Sequence, residues 1–364
     1  MELAYIGFSS IGGHAHKGAA HSGIAQSDFT HKLLSEVAPT KYFICFNECF
    51  ENRASNGVIP VILRTGFLKW IQDSSRLFFR LKKEGPFKKI IIYHSFLFFP
   101  LILMLKLSGL KITLQVNEVF TRAGSHNSVL HLVVEKLIFF LSSDYILATS
   151  QLLEYLPQSK IQKLKTVPII PGPISCPKNT LYNKYSSCSR LVYAGIIDKK
   201  KLGGAFIALQ LARLLDDKKY TLDLFGFGLD DDIKDLIEQI RECNLVSQTK
   251  VRYMGELPHK DLVSNLTNYD VGLATQYIGT EFSASSFPSK ILTYLSAGLH
   301  IVCATSMAVN RWDFKSAIFI YTKADLSDLL FHIKSLGTVD KSTGRFNVVK
   351  IRKSMLLDLE RLIL

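Results

Sequence analysis

Residues 286–304 read Ser286-Phe287-Pro288-Ser289-Lys290-Ile291-Leu292-Thr293-Tyr294-Leu295-Ser296-Ala297-Gly298-Leu299-His300-Ile301-Val302-Cys303-Ala304. Small residues and a proline open the run, apolar side chains at helical spacing fill it, and Gly298 stops it. His300–Ala304 then follows as an apolar strand, the kind that sits in a parallel sheet with helices on both faces. The same alternation continues toward the N-terminus. Arg190–Ala194, Thr221–Phe225, Val251–Met254 and Val271–Ala274 read as strands. Gly204–Leu215, Asp231–Cys243, Lys260–Thr267 and Ser289–Ala297 read as the helices among them.

Upstream, Val167–Pro177 carries four prolines besides Gly172 and is expected to be an interdomain linker. Before it the series runs once more. Leu3–Phe8, Lys41–Phe46, Lys89–Tyr93, Lys111–Val116 and Tyr145–Ala148 are strand-like, with helical spacing over about Ser22–Val37 and over Val129–Leu141. The expected fold class is α/β: two Rossmann-like, doubly wound domains, residues 1–170 and 171–345. The last residues, 346–364, form an amphipathic helix expected to pack back on the first domain. A length of 364 residues and 48% hydrophobic content suit two packed cores.

Lys and Arg outnumber Asp and Glu by 44 to 31, and the sequence pI is about 9.3. Such an excess favours polyanionic partners: nucleic acid, an anionic membrane surface or phosphorylated substrates. Nucleic acid is not expected, because no recognition module such as a helix-turn-helix or zinc finger is visible. The cysteines at 45, 49, 176, 188, 243 and 303 are scattered, which suits a reducing compartment, and no metal-ligand spacing appears among them. Met1–Gly7 reads as a strand, not as a leader. Ile90–Leu107 is apolar enough to question as a membrane span. It contains His94, Ser95, Pro100 and Lys106, and divides more naturally into a strand and a helix.

Charge is uneven. Residues 1–170 hold 19 Lys and Arg against 11 Asp and Glu, and eight of those cations lie between Arg64 and Lys89. On a helical wheel, Phe67, Trp70, Ile71, Leu77, Phe78 and Leu81 share one face of Phe67–Lys83. Lys69, Arg76, Arg80 and Lys83 share the other, with Leu68 and Phe79 flanking them. Such a helix fits peripheral contact with an anionic leaflet, and equally a core-packed surface helix with a solvated rim.

Five signals follow one another in the second half. They are Tyr193-Ala194-Gly195 before Lys199-Lys200-Lys201, then Phe225-Gly226-Phe227-Gly228, then Val251 through Leu257. Tyr269-Asp270-Val271-Gly272-Leu273 comes next, and the 286–298 segment closes the series. In this order they resemble the donor-binding domain of GT-B glycosyltransferases, chiefly the large family 4 and its bacterial polysaccharide-assembly relatives of O-antigen or capsule type. The resemblance covers about residues 190–305; the first half resembles that family by architecture only. It implies two domains facing a cleft, a nucleotide-sugar donor (UDP- or GDP-linked) as co-substrate, no metal or other cofactor, and a glycan or lipid-linked saccharide acceptor. The chain departs from the family's paired glutamates, for counting back from Gly298 puts Thr293 and Ser285 at those places. Thr293 would then face the donor ribose, and Glu281 would stand in for the first glutamate. Ile196 stands where a basic residue is usual, which shifts the phosphate load to Lys199, Lys200 and Lys201. Leu257, at the end of the third motif, is placed at the donor by the same resemblance.

A leaving nucleoside diphosphate needs its growing charge neutralised, and without a metal that falls to helix N-termini and cations. Ser285, Ser286, Phe287, Ser289 and Lys290 suit this as a run of exposed N–H groups ending in an amine. An ordinary capped helix with a solvated lysine is the plain alternative. Gly226 and Gly228 would admit close approach of backbone to donor, and Gly12 and Gly13, after the first strand, would serve the donor phosphate or the acceptor. Glu118, after the Lys111–Val116 strand, is a candidate general base; His94, also at a strand end, is another candidate or a core histidine. Asp230-Asp231-Asp232 resembles a metal-binding carboxylate run, but its place at a helix start makes it an expected N-cap cluster. The leading expectation is a cytoplasmic transferase, peripheral at the inner face of the membrane, in surface polysaccharide assembly. A nucleotide-sugar epimerase on the same fold and a non-catalytic basic membrane-associated protein are the alternatives.

Overall fold

The structure is a computed structural model that describes residues 2–7, 30–46, 58–63, 67–117, 119, 129–157, 166–168, 185–187, 189–200, 203–278, 290–304, 317–322 and 324–363. Two compact units emerge. Met1–Pro171 and Lys353–Leu364 form one, and Gly172–Arg352 the other.

In the first unit, seven parallel strands lie in the order β3-β2-β1-β4-β5-β6-β7. They are β1 (Glu2–Gly7), β2 (Thr40–Phe46), β3 (Val58–Ile62), β4 (Phe87–Tyr93), β5 (Ile112–Val116), β6 (Asp144–Leu147) and β7 (Thr166–Pro168). The described helices are α1 (residues 30–37), α2 (Phe67–Glu84), α3 (Phe99–Leu107) and α4 (Val129–Leu141). β1 is buried along almost its whole length and pairs with β2 and β4. At its middle Tyr5 donates a 2.6 Å hydrogen bond to Gln115 of β5, whose amide donates to Thr30 at the start of α1. This buried chain of partners fixes the strand and helix that flank the first loop. Both sheet edges carry a proline, Pro60 in β3 and Pro168 in β7. A residue without an N–H is tolerated at an edge and blunts it against further pairing.

The second unit has the order β11-β10-β9-β12-β13-β14, the strand order of a Rossmann sheet. Its strands are β9 (Arg190–Ala194), β10 (Thr221–Phe225), β11 (Lys250–Gly255), β12 (Val271–Ala274), β13 (His300–Ala304) and β14 (Ile318–Tyr321). α5 (Gly204–Leu215), α6 (Asp230–Val246), α7 (His259–Leu266), α8 (Lys290–Ala297) and α9 (Ser327–Ser335) accompany it. A two-stranded antiparallel ribbon pairs β8 (Tyr185–Ser187) with β15 (Thr338–Asp340). Helix α10 (Lys341–Ile363) then ends the chain, and its last turns belong to the first unit.

Several motif residues turn out to brace this sheet. Asp270, fully buried, accepts from the backbone N–H groups of Ser189 and Arg190 and so fixes the start of β9. Arg252 grips Asp223 through two 2.8 Å bonds, and Tyr269 donates to the same carboxylate at 2.6 Å.

Most strands and helices of the reading from sequence recur with ends moved by a residue or two, while α6 runs on to Val246 and α10 begins at Lys341, ahead of the expected start at 346; three corrections follow. Val167 and Pro168 of the expected linker lie in β7. Asp230, Asp231 and Asp232 are first-turn residues of α6, not its cap; Leu229 occupies the cap position and no side chain bonds there. Their charge meets the positive end of the helix dipole instead. Phe67 is 71% exposed and is not part of the buried face of α2, whose inner side takes Asp73 and Ser74 together with Leu77, Phe78 and Leu81. Ile90–Leu107 divides as expected, into β4, a short 3₁₀ turn and α3, and among the described residues no helix is long and apolar enough to cross a membrane.

Lys89, counted among the basic residues after α2, is committed inward. Its amine lies 3.1 Å from Asp144 of β6 and donates at 2.6 Å to the carbonyl of Leu362 in the last turn of α10. A cation at a helix C-terminus is favourably placed. Lys89→Met is therefore expected to destabilise the first unit by about 1–2 kcal/mol in urea unfolding. The same change at exposed Lys88 should stay within about 0.5 kcal/mol. Equal effects at the two positions would contradict this role for Lys89.

Candidate functional site

The carboxyl ends of β9, β12, β13 and β14 converge with the first turn of α8. Ligands bind at this edge in doubly wound sheets because helix N-termini and loop N–H groups face outward there. Here the floor is built backbone to backbone. A Cβ on Gly226 would come within 1.9 Å of the Gly195 carbonyl oxygen, and one on Gly228 within 2.2 Å of the Ile197 oxygen. The loops after β9 and β10 are zipped together by bonds from Gly195 N–H to Phe225 O and from Ile197 N–H to Phe227 O. Glycine at 226 and 228 thus serves loop-to-loop contact, a different reason from the expected approach to a donor.

On the other side of Gly195 lies the amine of Lys290. Its Nζ would be 2.7 Å from a Cβ on Gly195, and it rests 4.0 Å from the centre of the Tyr193 ring. Among the described residues no carboxylate pairs with it. Burial disfavours the charged form and lowers the amine to about 7, with the neighbouring Cys303 thiol acting weakly in the opposite direction. Cys303 itself is pushed up to about 12 by burial, so it stays a neutral thiol.

α8 is held in place by Tyr294, a residue that sequence reading did not single out. Its hydroxyl accepts from the Ala194 N–H at 2.8 Å, and its ring covers Gly272, where a Cβ would approach within 2.5 Å. One turn of helix therefore separates the strut from the amine. Beside them, Gln276 follows β12 and is 9% exposed. Its backbone N–H and carbonyl both engage the Tyr321 hydroxyl, while its side-chain Nε2 has no partner among the described residues. A buried donor left open at this edge is available to a bound molecule. Nothing in the sequence around Gln276 marks it; only the fold reveals it. Tyr277 reaches across to the loop after β9, its hydroxyl donating to Lys199 O at 2.8 Å with its ring against Gly203.

The other expected site residues divide clearly. Lys199 is tied to α6 by a 2.6 Å ion pair with Asp235, so its charge is already partnered. Lys200 is exposed, and its N–H is bonded to Asp198. Leu257 is half-buried beyond β11. Thr293 is buried on α8, one residue before the Tyr294 strut, at 8% exposure. His94 is buried in the first unit, with Nε2 3.5 Å from Glu135 and its ring against Phe139, which is the core-histidine alternative. Gly12, Gly13, Glu118, Lys201, Glu281, Ser285, Ser286, Phe287 and Ser289 lie outside the described residues.

No family model matches the sequence, and no curated protein matches it. Solved structures do match, over the whole chain. Sucrose-phosphate synthase from Thermosynechococcus elongatus superposes with a TM-score of 0.69 at 15% identity, covering 100% of this chain and 98% of that one. Anabaena HepE in complex with UDP gives 0.66 at 14% identity over 99% and 100%. The lipopolysaccharide outer core galactosyltransferase WaaB gives 0.63 at 15% identity over 99% of each chain.

An amine that titrates near neutrality makes anion binding pH-dependent. Lys290 is charged below about 7 and neutral above it. A bound diphosphate favours the charged form, so affinity should fall as pH rises through that value, by up to about tenfold per unit. A nucleotide-sugar is the suitable probe, since its diphosphate has no proton to lose in this range. Titration calorimetry in buffers of different ionisation heat should show proton uptake on binding above the transition. Lys290→Met should remove that uptake and weaken binding by about 1–3 kcal/mol at the acidic end. A wild-type affinity independent of pH would refute the assignment. At those identities the likeness fixes the architecture: the chain has the two-domain GT-B fold of these glycosyltransferases.

Proposed function

We propose that the protein is a glycosyltransferase that moves a sugar from a nucleotide-sugar to a glycan or lipid-linked saccharide, without a metal, in the assembly of surface polysaccharide. The observation that carries this reading is Lys290. It is a half-buried lysine with no carboxylate partner among the described residues, lying over the Tyr193 ring at the strand ends of a Rossmann sheet and beside the backbone floor at Gly195. UDP is the first nucleotide to test, because solved structures of the same fold hold UDP in HepE and UDP-2-fluoro glucose in a trehalose-6-phosphate enzyme. Within this reading the second unit binds the donor. Lys290 balances the diphosphate charge, Gln276 Nε2 donates to the sugar or phosphate, and the N-terminus of α8 adds backbone donors. The first unit binds the acceptor, with Glu118 as the base that takes its proton. His94 is assigned no step, because it is enclosed in the core. The enzyme works in the cytoplasm at the inner face of the membrane, where a lipid-linked acceptor is presented.

Calorimetry with UDP, GDP and ADP tests the donor half, and one nucleotide should bind well above the other two. Turnover of the matching nucleotide-sugar with a saccharide acceptor should yield a longer glycan and free nucleoside diphosphate, and should survive EDTA. An isomerised nucleotide-sugar as the product would assign the chain to epimerisation instead. Loss of turnover in EDTA with recovery in Mg²⁺ or Mn²⁺ would overturn the metal-free account.

A further inference from the structure

Helices α2, α3 and α4 of the first unit pack in series, α2 on α3 and α3 on α4. Their outer surface is unusually apolar. On α4, Val129, Leu130, Val133, Leu137 and Phe140 are all exposed, from 41% to 79%, while Glu135, Ile138 and Phe139 face the core. On α3 and the turn after it, Leu103, Leu107 and Leu110 are exposed. Phe67, Leu68 and Phe79 continue the face on α2. Monomeric proteins rarely leave so many large aliphatic side chains together in water.

The charges interleaved with them are of one sign. Lys69, Arg80, Lys83, Lys106 and Lys136 are exposed on the three helices. The carboxylates there are withdrawn: Asp73 and Glu135 are buried, and Glu84 is half-buried and bonded to Lys41. We infer that the exposed face of α2–α4 docks on an anionic lipid surface, with α4 supplying the apolar contact and α2 the flanking cations. A second copy of this chain is disfavoured as the occupant, because two such faces would bring cation against cation with no carboxylate between them. An aliphatic face is also poorly matched to nucleic acid, which takes its contacts from cations, polar groups and aromatic rings. An anionic leaflet satisfies both features at once: aliphatic side chains enter the acyl boundary while lysine and arginine stay at the headgroups. The inference stands without the transferase reading, and gives that reading's lipid-linked acceptor a place to be met.

Flotation with vesicles of phosphatidylcholine plus phosphatidylglycerol, and of phosphatidylcholine alone, tests it. Wild type should float with the mixed vesicles, and at least about tenfold less with phosphatidylcholine alone. Val133→Asp with Leu137→Asp should lower the partition at least about tenfold, and so should Lys69→Glu, Lys83→Glu and Lys136→Glu combined. All five positions are exposed, so an unchanged Tm should show that the fold is intact. Absence of wild-type flotation would overturn the inference, as would variants that float like wild type. It would also fail if wild type were a dimer that the α4 variant dissolves without loss of vesicle binding. UDP binding, measured on the same samples, should be unaffected by either variant. Its absence from wild type would count against the transferase reading and leave the lipid surface standing.

Discussion

The architecture of the candidate site rests on how closely two loops approach at Gly195. On one side of this residue its carbonyl oxygen occupies the space where Gly226 would carry a Cβ; on the other lies the Lys290 amine. The loops after β9 and β10 must meet without side chains between them, and that contact sets the height of the floor under Lys290. Tyr294 then fixes α8 against β9 and its neighbour β12, through Ala194 and Gly272. Three glycines and one tyrosine thereby hold an amine where water is scarce. Its depressed pKa follows from that burial, with no carboxylate beside it among the described residues. Stability and chemistry meet here, because the packing that excludes solvent is what leaves the amine ready for an anion.

The fold was legible because parallel sheets demand a plain pattern. Val271–Ala274 and, after His300, Ile301–Ala304 are apolar, and the boundaries of both strands read from sequence agree with the structure. β3 was not read because Pro60 breaks the usual strand signal. Its edge position, which makes proline acceptable, is knowable only once neighbours are placed. The short ribbon of β8 and β15 was missed for a related reason: its partners lie about 150 residues apart, and three-residue strands carry no period.

The candidate site was legible in part. Lys290 was visible as a cation at the start of a helix after small residues, which is a local signal. The roles of Gly226 and Gly228 were not, for a glycine that admits a ligand and one that admits a neighbouring carbonyl look alike in sequence. Lys199 shows the same difficulty for charge. A run of three lysines suggests phosphate, but Asp235 on α6, 36 residues on, already neutralises the first of them. Gln276 and Tyr294 carry no local mark, since their importance comes from partners on other strands.

The basic excess divides by the same test of whether each charge is already spent. Lys89 holds Asp144 and the end of α10, Lys41 bridges Glu2 and Glu84, and Lys341 donates into the carbonyls of Thr267 and Tyr269. These cations are structural, and they sit where a carboxylate or a row of carbonyls would otherwise lack a partner. Lys69, Lys83, Lys106 and Lys136 lie on exposed positions beside aliphatic side chains, and the acids of their helices are turned inward. A protein that merely needed solubility would intersperse both signs over such a face. Keeping one sign next to uncovered leucines and phenylalanines costs solubility in water. The inferred lipid surface, anionic at the edge and apolar beneath, would offset that cost.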